Sequence, residues 1–120
     1  MDNIIFHLST CSTCQKILKR IPKLKRFTLQ DIKTNAISTK QLDALKKMAG
    51  SYEALFTRRS MKYRSMGLQD QELGEKDFRR LILAEYTFLK RPVMLVNGQL
   101  FIGNADKEVE GAIAAAKKME

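Results

Sequence analysis

Ile4-Ile5-Phe6-His7-Leu8-Ser9-Thr10-Cys11-Ser12-Thr13-Cys14-Gln15-Lys16-Ile17-Leu18-Lys19-Arg20 opens on an apolar run, passes through two thiols and ends in a helix-like run. It reads as a strand, a short polar loop and a helix, with Cys11 at the helix start and Cys14 within the first turn. The first backbone N–H groups of a helix have no internal partner and carry partial positive charge. A thiolate placed there is stabilised over the thiol and its pKa falls. Each unit of that fall corresponds to roughly 1.4 kcal/mol. Cys11 is therefore the candidate nucleophile, and Cys14 the candidate resolving thiol that closes a disulfide onto it.

Two competing readings of the pair are less well supported. A structural zinc site takes four Cys or His ligands, and this chain has two Cys and one His, so no metal site is expected within one subunit. Two unrelated buried cysteines at this spacing are the other alternative. Ser9, Thr10, Ser12 and Thr13 make the neighbourhood polar and argue against it. A Cys-x-x-Cys beside a β-α pattern favours a thioredoxin-like redox role.

Composition bounds the rest. At 120 residues and 44% hydrophobic, the chain is expected to be one globular domain over 1–120. No apolar run approaches the roughly 20 residues of a membrane span. Met1-Asp2-Asn3-Ile4 carries no basic leader, so a cytoplasmic, reducing setting is the expectation. The net charge of +9, from 22 Lys+Arg against 13 Asp+Glu, favours anionic partners. It gathers at Lys16 to Arg26, Arg58 to Arg64 and Lys90-Arg91. The first cluster is equally well explained as a solvated helix face. No aromatic-rich basic motif accompanies the charge, so direct nucleic-acid binding is not expected.

A first strand is expected over Asn3 to Leu8 and a helix over Ser12 to Arg20, closed before Pro22. Arg26 to Ile32 alternates at period two and reads as a second strand. Ser38-Thr39-Lys40-Gln41 is a capping box, opening a helix with Leu42, Leu45, Met48 and Ala49 at helical spacing and Gly50 at its end. Ser51 to Phe56 suggests a short helix, Thr57 to Gly67 a basic connection, and Glu75 to Glu85 another helix. Val93 to Val96 and Gln99 to Ile102 flank Asn97-Gly98, a type I′ hairpin signal, and Asp106 to Met119 is helical. The expected fold is α/β and thioredoxin-like. It has a mixed four-stranded sheet and a helical insertion, about 33–90, between a β-α-β half and a β-β-α half.

Over nearly its whole length the chain resembles the arsenate reductase (ArsC)-like family, which includes Spx regulators and YffB-type proteins. The resemblance rests on Cys11-x-x-Cys14, on Phe56-Thr57-Arg58-Arg59-Ser60-Met61-Lys62-Tyr63-Arg64-Ser65-Met66-Gly67-Leu68, and on Lys90-Arg91-Pro92-Val93. It implies that Cys11 is the family's reactive cysteine and that Arg91 and Arg59, with Arg58 one position away, hold an anionic group. It also implies that Pro92 is the proline, typically cis, before the third strand. Ser12 and Thr13 would line the same loop. Arg59 and Arg64 are equally consistent with solvated charge, His7 with an edge histidine, and Tyr63 with packing. Archetypal arsenate reductases carry a further arginine after the hairpin, where this chain reads Phe101-Ile102-Gly103-Asn104-Ala105-Asp106. Arsenate is accordingly expected to be a poor substrate.

The implied function is a thiol-disulfide redox protein acting on a small oxyanion or a thiol substrate. It would hold no bound cofactor, and glutathione or another thiol reductant, including a reductant protein, would act as co-substrate. The alternative is a Spx-like redox sensor that binds RNA polymerase.

Overall fold

The computed structural model describes residues 2–120, so Met1, the first residue of the expected domain span, lies outside the described residues. By its internal contacts the chain divides into two compact units. One comprises the residues up to Asn35 together with Arg91–Glu120, and the other is Ala36–Lys90.

The first unit holds the sheet. Strands β1 (Ile4–His7), β2 (Thr28–Asp31), β3 (Val93–Val96) and β4 (Gln99–Ile102) lie in the order β2-β1-β3-β4. β1 and β2 are parallel, with Ile4 opposite Thr28 and His7 opposite Asp31. A parallel neighbour requires a crossover, and α1 (Ser12–Leu18) supplies it. β3 runs antiparallel to both β1 and β4. Asn97 and Gly98 take φ of 51° and 83° at the hairpin tip, the left-handed pair that a two-residue type I′ turn needs. α5 (Asp106–Lys117) follows β4. This is the thioredoxin-like mixed sheet expected from the element order.

One face of the sheet is sealed by α1 and α5. Ile5, Met94 and Val96 from the strands meet Ile17, Leu18 and Ile21 from the α1 segment and Val109, Ala112, Ala115 and Ala116 from α5. Burying such side chains contributes about 1.5–3 kcal/mol each for the larger ones. Polar ties close the far end: Arg20 pairs with Glu110 at 2.5 Å, and Lys23 Nζ donates to the carbonyls of Lys117 and Met119. A cation on the last carbonyls of a helix complements its dipole.

The second unit contains α2 (Thr39–Ala49), α3 (Met61–Ser65) and α4 (Glu75–Ala84). The Ser38 capping box is present as expected: Ser38 Oγ accepts from Gln41 N and Gln41 Oε1 accepts from Ser38 N, both at 3.0 Å. Gly50 ends α2 at φ 96°. The unit's interior is built around Phe56, whose ring lies 4.8 Å from that of Phe78 and 5.1 Å from that of Phe88.

Three expectations are corrected. The Thr57–Gly67 connection contains the short helix α3, started by Ser60 Oγ accepting from Lys62 N. The segment Ser51–Phe56 forms only a 3-10 turn, Glu53–Leu55. The second strand starts at Thr28, because Lys23 at φ 58° sets up a 3-10 turn over Leu24–Arg26 before it. Among the described residues no helix is long and apolar enough to cross a membrane.

Candidate active site

The site forms where β1 hands over to α1. Cys11 is the N-cap of α1, with extended backbone (φ −96°, ψ 110°), and its carbonyl accepts the Gln15 N–H at 3.1 Å. The Cys11 N–H closes a turn onto the Leu8 carbonyl at 3.0 Å. Cys11 is partly exposed, whereas Cys14, one turn into the helix, is fully buried; both are free thiols. Ser12 and Thr13 between them are exposed on the first turn.

Arg91 enters from the other half of the same unit, ahead of β3. The Arg91–Pro92 peptide bond is cis, as the resemblance implied for that proline. The Pro92 carbonyl accepts the N–H of Gly103 at 2.8 Å, which ties the segment entering β3 to the one leaving β4.

These neighbours push the two thiols in opposite directions. Partial burial opposes ionisation of Cys11. The backbone N–H and the thiol of Cys14 and the guanidinium of Arg91 outweigh it, so the Cys11 thiol lies below its ordinary value. Burial pushes the Cys14 thiol up to about 11; a Leu8 backbone hydrogen bond opposes the rise and the adjacent Cys11 sulfur adds to it. The pair thus presents one thiol that is more acidic than usual and one that is less acidic, three residues apart. That is the arrangement in which a nucleophile and a resolving group are kept distinct.

The turn before Cys11 has further partners that the sequence did not single out. Gln15 Nε2 donates to the Leu8 carbonyl at 3.0 Å and lies 3.3 Å from His7 Nδ1. Asp31 Oδ1 accepts the Ser9 N–H at 3.2 Å. Hydrogen bonds from Ser9, first from its side chain, hold the Asp31 carboxyl below the usual carboxylate range.

The remaining sequence candidates lie in the second unit. Arg58 pairs with Glu53 at 2.8 Å and lies over the rings of Phe78 and Phe56, at 5.5 and 6.0 Å from their centroids. Arg59 is exposed, and its N–H donates to Thr57 Oγ1 at 3.2 Å. Arg64 is exposed, and Tyr63 is partly buried with its ring 6.2 Å from that of Phe56. Among the described residues no three His, Cys, Asp or Glu side chains gather as metal ligands.

Comparison with known proteins follows the same lines. The model of the ArsC family matches residues 6–112. The global transcriptional regulator Spx 2 of Bacillus anthracis is 25% identical over 109 residues, 88% of this chain and 82% of its own. An uncharacterized protein of Haemophilus influenzae is 27% identical over 112 residues, 92% of this chain and 97% of its own. Among solved structures, a YFFB protein superposes with a TM-score of 0.78 at 22% identity, covering 95% of this chain and 98% of the other. The arsenate reductase of Vibrio cholerae gives 0.75 at 18% identity, over 96% and 98%. With the family model spanning both cysteines and the Arg91-Pro92 pair, the chain belongs to the ArsC family.

Proposed function

We propose that this chain is a thiol-disulfide redox protein of the reducing cytoplasm, with Cys11 as nucleophile and Cys14 as resolving thiol. The observation that carries the reading is the placement of the pair: Cys11 is partly exposed as the N-cap of α1 and Cys14 is buried in its first turn, with Arg91 drawing the Cys11 thiol below its ordinary value. The Cys11 thiolate attacks a sulfur or oxyanion acceptor. With a mixed disulfide RS–SR′ it forms Cys11–S–SR and expels R′S⁻. Cys14 then loses its proton and attacks the Cys11 sulfur. The Cys11–Cys14 disulfide forms, RS⁻ leaves, and two electrons have passed to the acceptor. Glutathione or a thiol reductant protein returns those two electrons. Arg91, which draws the Cys11 thiol down, is proposed also to pair with an anionic group on the substrate. Arg59, exposed in the other unit, is proposed as an anion contact there, whereas Arg58 is engaged by Glu53 and the rings of Phe78 and Phe56.

The test is a turnover screen of the reduced protein against glutathione mixed disulfides, arsenate and peroxide, with glutathione and glutaredoxin supplied. Catalytic thiol oxidation with any of them supports an enzyme. A single stoichiometric oxidation with each of them counts against it.

A second reading is a redox-sensing regulator that binds RNA polymerase, favoured by the relationship to Spx 2 of Bacillus anthracis. Co-purification of polymerase with the oxidised or reduced chain, absent for the Cys11→Ser variant in one of the two states, would support it.

A further inference from the structure

We infer that Gln15 of α1 and Asp31 of β2 are positioning residues that together grip the Leu8–Cys11 turn and so hold the Cys11 sulfur where its stabilising partners act. The inference rests on the thiol-redox reading above and names what sustains its nucleophile.

The turn has few ties of its own. Its only internal backbone bond runs from the Cys11 N–H to the Leu8 carbonyl, at 3.0 Å. Gln15 reaches back from α1 and donates Nε2 to that same Leu8 carbonyl at 3.0 Å, while its own N–H holds the Cys11 carbonyl at 3.1 Å. One residue thus bonds both ends of the turn. Asp31 at the end of β2 accepts the Ser9 N–H at 3.2 Å and, with the same oxygen, the Lys33 N–H at 3.2 Å. The parallel register sets Asp31 opposite His7, and the Ile32 N–H donates to the His7 carbonyl at 2.9 Å. Neither Gln15 nor Asp31 belongs to the apolar core beneath the sheet. Their contacts go to the redox turn and its flanks.

This grip matters because the stabilisation of a Cys11 thiolate is short-ranged. Hydrogen bonds to sulfur from the Cys14 N–H and Arg91 require the sulfur to stay within hydrogen-bonding reach. A turn free to move loses them, and the thiol drifts back toward its ordinary acidity.

Charge and positioning make opposite forecasts for Asp31. Deleting a carboxylate near a thiolate by itself makes the thiol more acidic. Releasing the turn makes it less acidic. The experiment measures Cys11 alkylation by iodoacetamide against pH in a Cys14→Ser background, with thermal melts alongside. Asp31→Ala and Gln15→Leu should each raise the apparent Cys11 pKa by half to one unit, slowing alkylation at pH 7 by roughly three- to tenfold. Asp31→Asn keeps an oxygen for the Ser9 N–H and should retain the reference rate or exceed it. The inference is overturned if Asp31→Ala lowers the apparent pKa, or if both variants shift only the melting temperature and leave the pH profile in place. Should Asp31→Ala fail to fold, the near-isosteric Gln15→Leu decides alone. A reference protein with an ordinary Cys11 pKa sinks the thiol-redox reading and this inference together. A low reference value with unmoved variants sinks this inference only.

Discussion

The ring of Phe101 on β4 stands against Gly111 of α5: a Cβ added at Gly111 would lie 2.6 Å from Phe101 Cε1. Glycine in a helix interior is about 1 kcal/mol worse than alanine, so the helix tolerates it here to admit the ring. Overpacking of this kind costs about 1–3 kcal/mol. Gly111→Ala should therefore be destabilising by about 1 kcal/mol net. In a Phe101→Ala background the same change should be stabilising, since only the helix preference remains. Urea unfolding of the four proteins in this cycle checks the change of sign.

Arg91→Met should make Cys11 a weaker acid, because it removes both a hydrogen bond to the sulfur and a positive charge beside it. A charge-assisted bond contributes about 1.5–3 kcal/mol when buried. At this partly exposed site the lower end applies, which is roughly a tenfold fall in thiolate at neutral pH. The sign follows directly. Alkylation of wild type should already be near its plateau at a pH where the variant is still rising. Coincident pH profiles would remove Arg91 from the thiol's environment.

Asp43 ties α2 to α4. It accepts from Arg79 through both oxygens, at 2.9 and 3.1 Å, and from the Tyr52 hydroxyl at 2.6 Å. The Arg79 guanidinium and then the Tyr52 hydroxyl hold its carboxyl down at about 2. An unfolded aspartate titrates near 3.9. A folded value below the unfolded one stabilises the fold above about pH 4, and that stabilisation is lost as pH falls toward about 2. Asp43→Asn should melt below wild type at pH 7, and the gap should close across that acid window. A gap that persists unchanged at pH 2 contradicts the linkage.

Arsenate should be turned over poorly, with kcat/KM well under the ordinary enzyme range of about 10⁴ M⁻¹s⁻¹. The segment after the hairpin offers Gly103 and Asn104 as sites for an added arginine, and the backbone distinguishes them. Gly103 sits at φ 89° with its N–H on the Pro92 carbonyl, a conformation that strains a side chain. Asn104 is exposed on the same segment. Asn104→Arg should raise arsenate-dependent thiol oxidation, by up to the roughly tenfold or more of one further charge-assisted bond, while Gly103→Arg should lose stability. Arsenate turnover by wild type in the ordinary range would instead mark the chain as an arsenate reductase using another cation.

Local signals carried most of the fold. The Ser38 capping box, Gly50 and the Asn97-Gly98 turn each act within four residues, so the sequence displays them whole. Helix α3 spans five residues, too short for an apolar period to repeat, and its cap is one serine in a basic stretch. The period-two pattern of the second strand is real but hides its phase. Leu29 is 43% exposed and Gln30 is buried, its Nε2 donating to the Asn35 carbonyl at 3.1 Å. At the site, Cys11, Cys14 and Arg91-Pro92 are legible because each lies in a contiguous motif. Gln15 and Asp31 are not. One depends on the reach of a side chain back across a turn, the other on the parallel register of β2 against β1. The Glu53 partner of Arg58 is equally invisible in a list of basic residues.

The unequal depth of the two sulfurs gives the proposed chemistry a direction. Cys14 is fully buried and Cys11 is not, so a disulfide between them presents one sulfur to the outside. Any molecule delivering electrons must dock on Cys11, and any molecule taking them must leave from it. Donor and acceptor therefore share a single doorway and visit in turn, never together. In a Cys14→Ser chain the acceptor should stay bound to Cys11 as a mixed disulfide, which makes that variant the natural bait for identifying it.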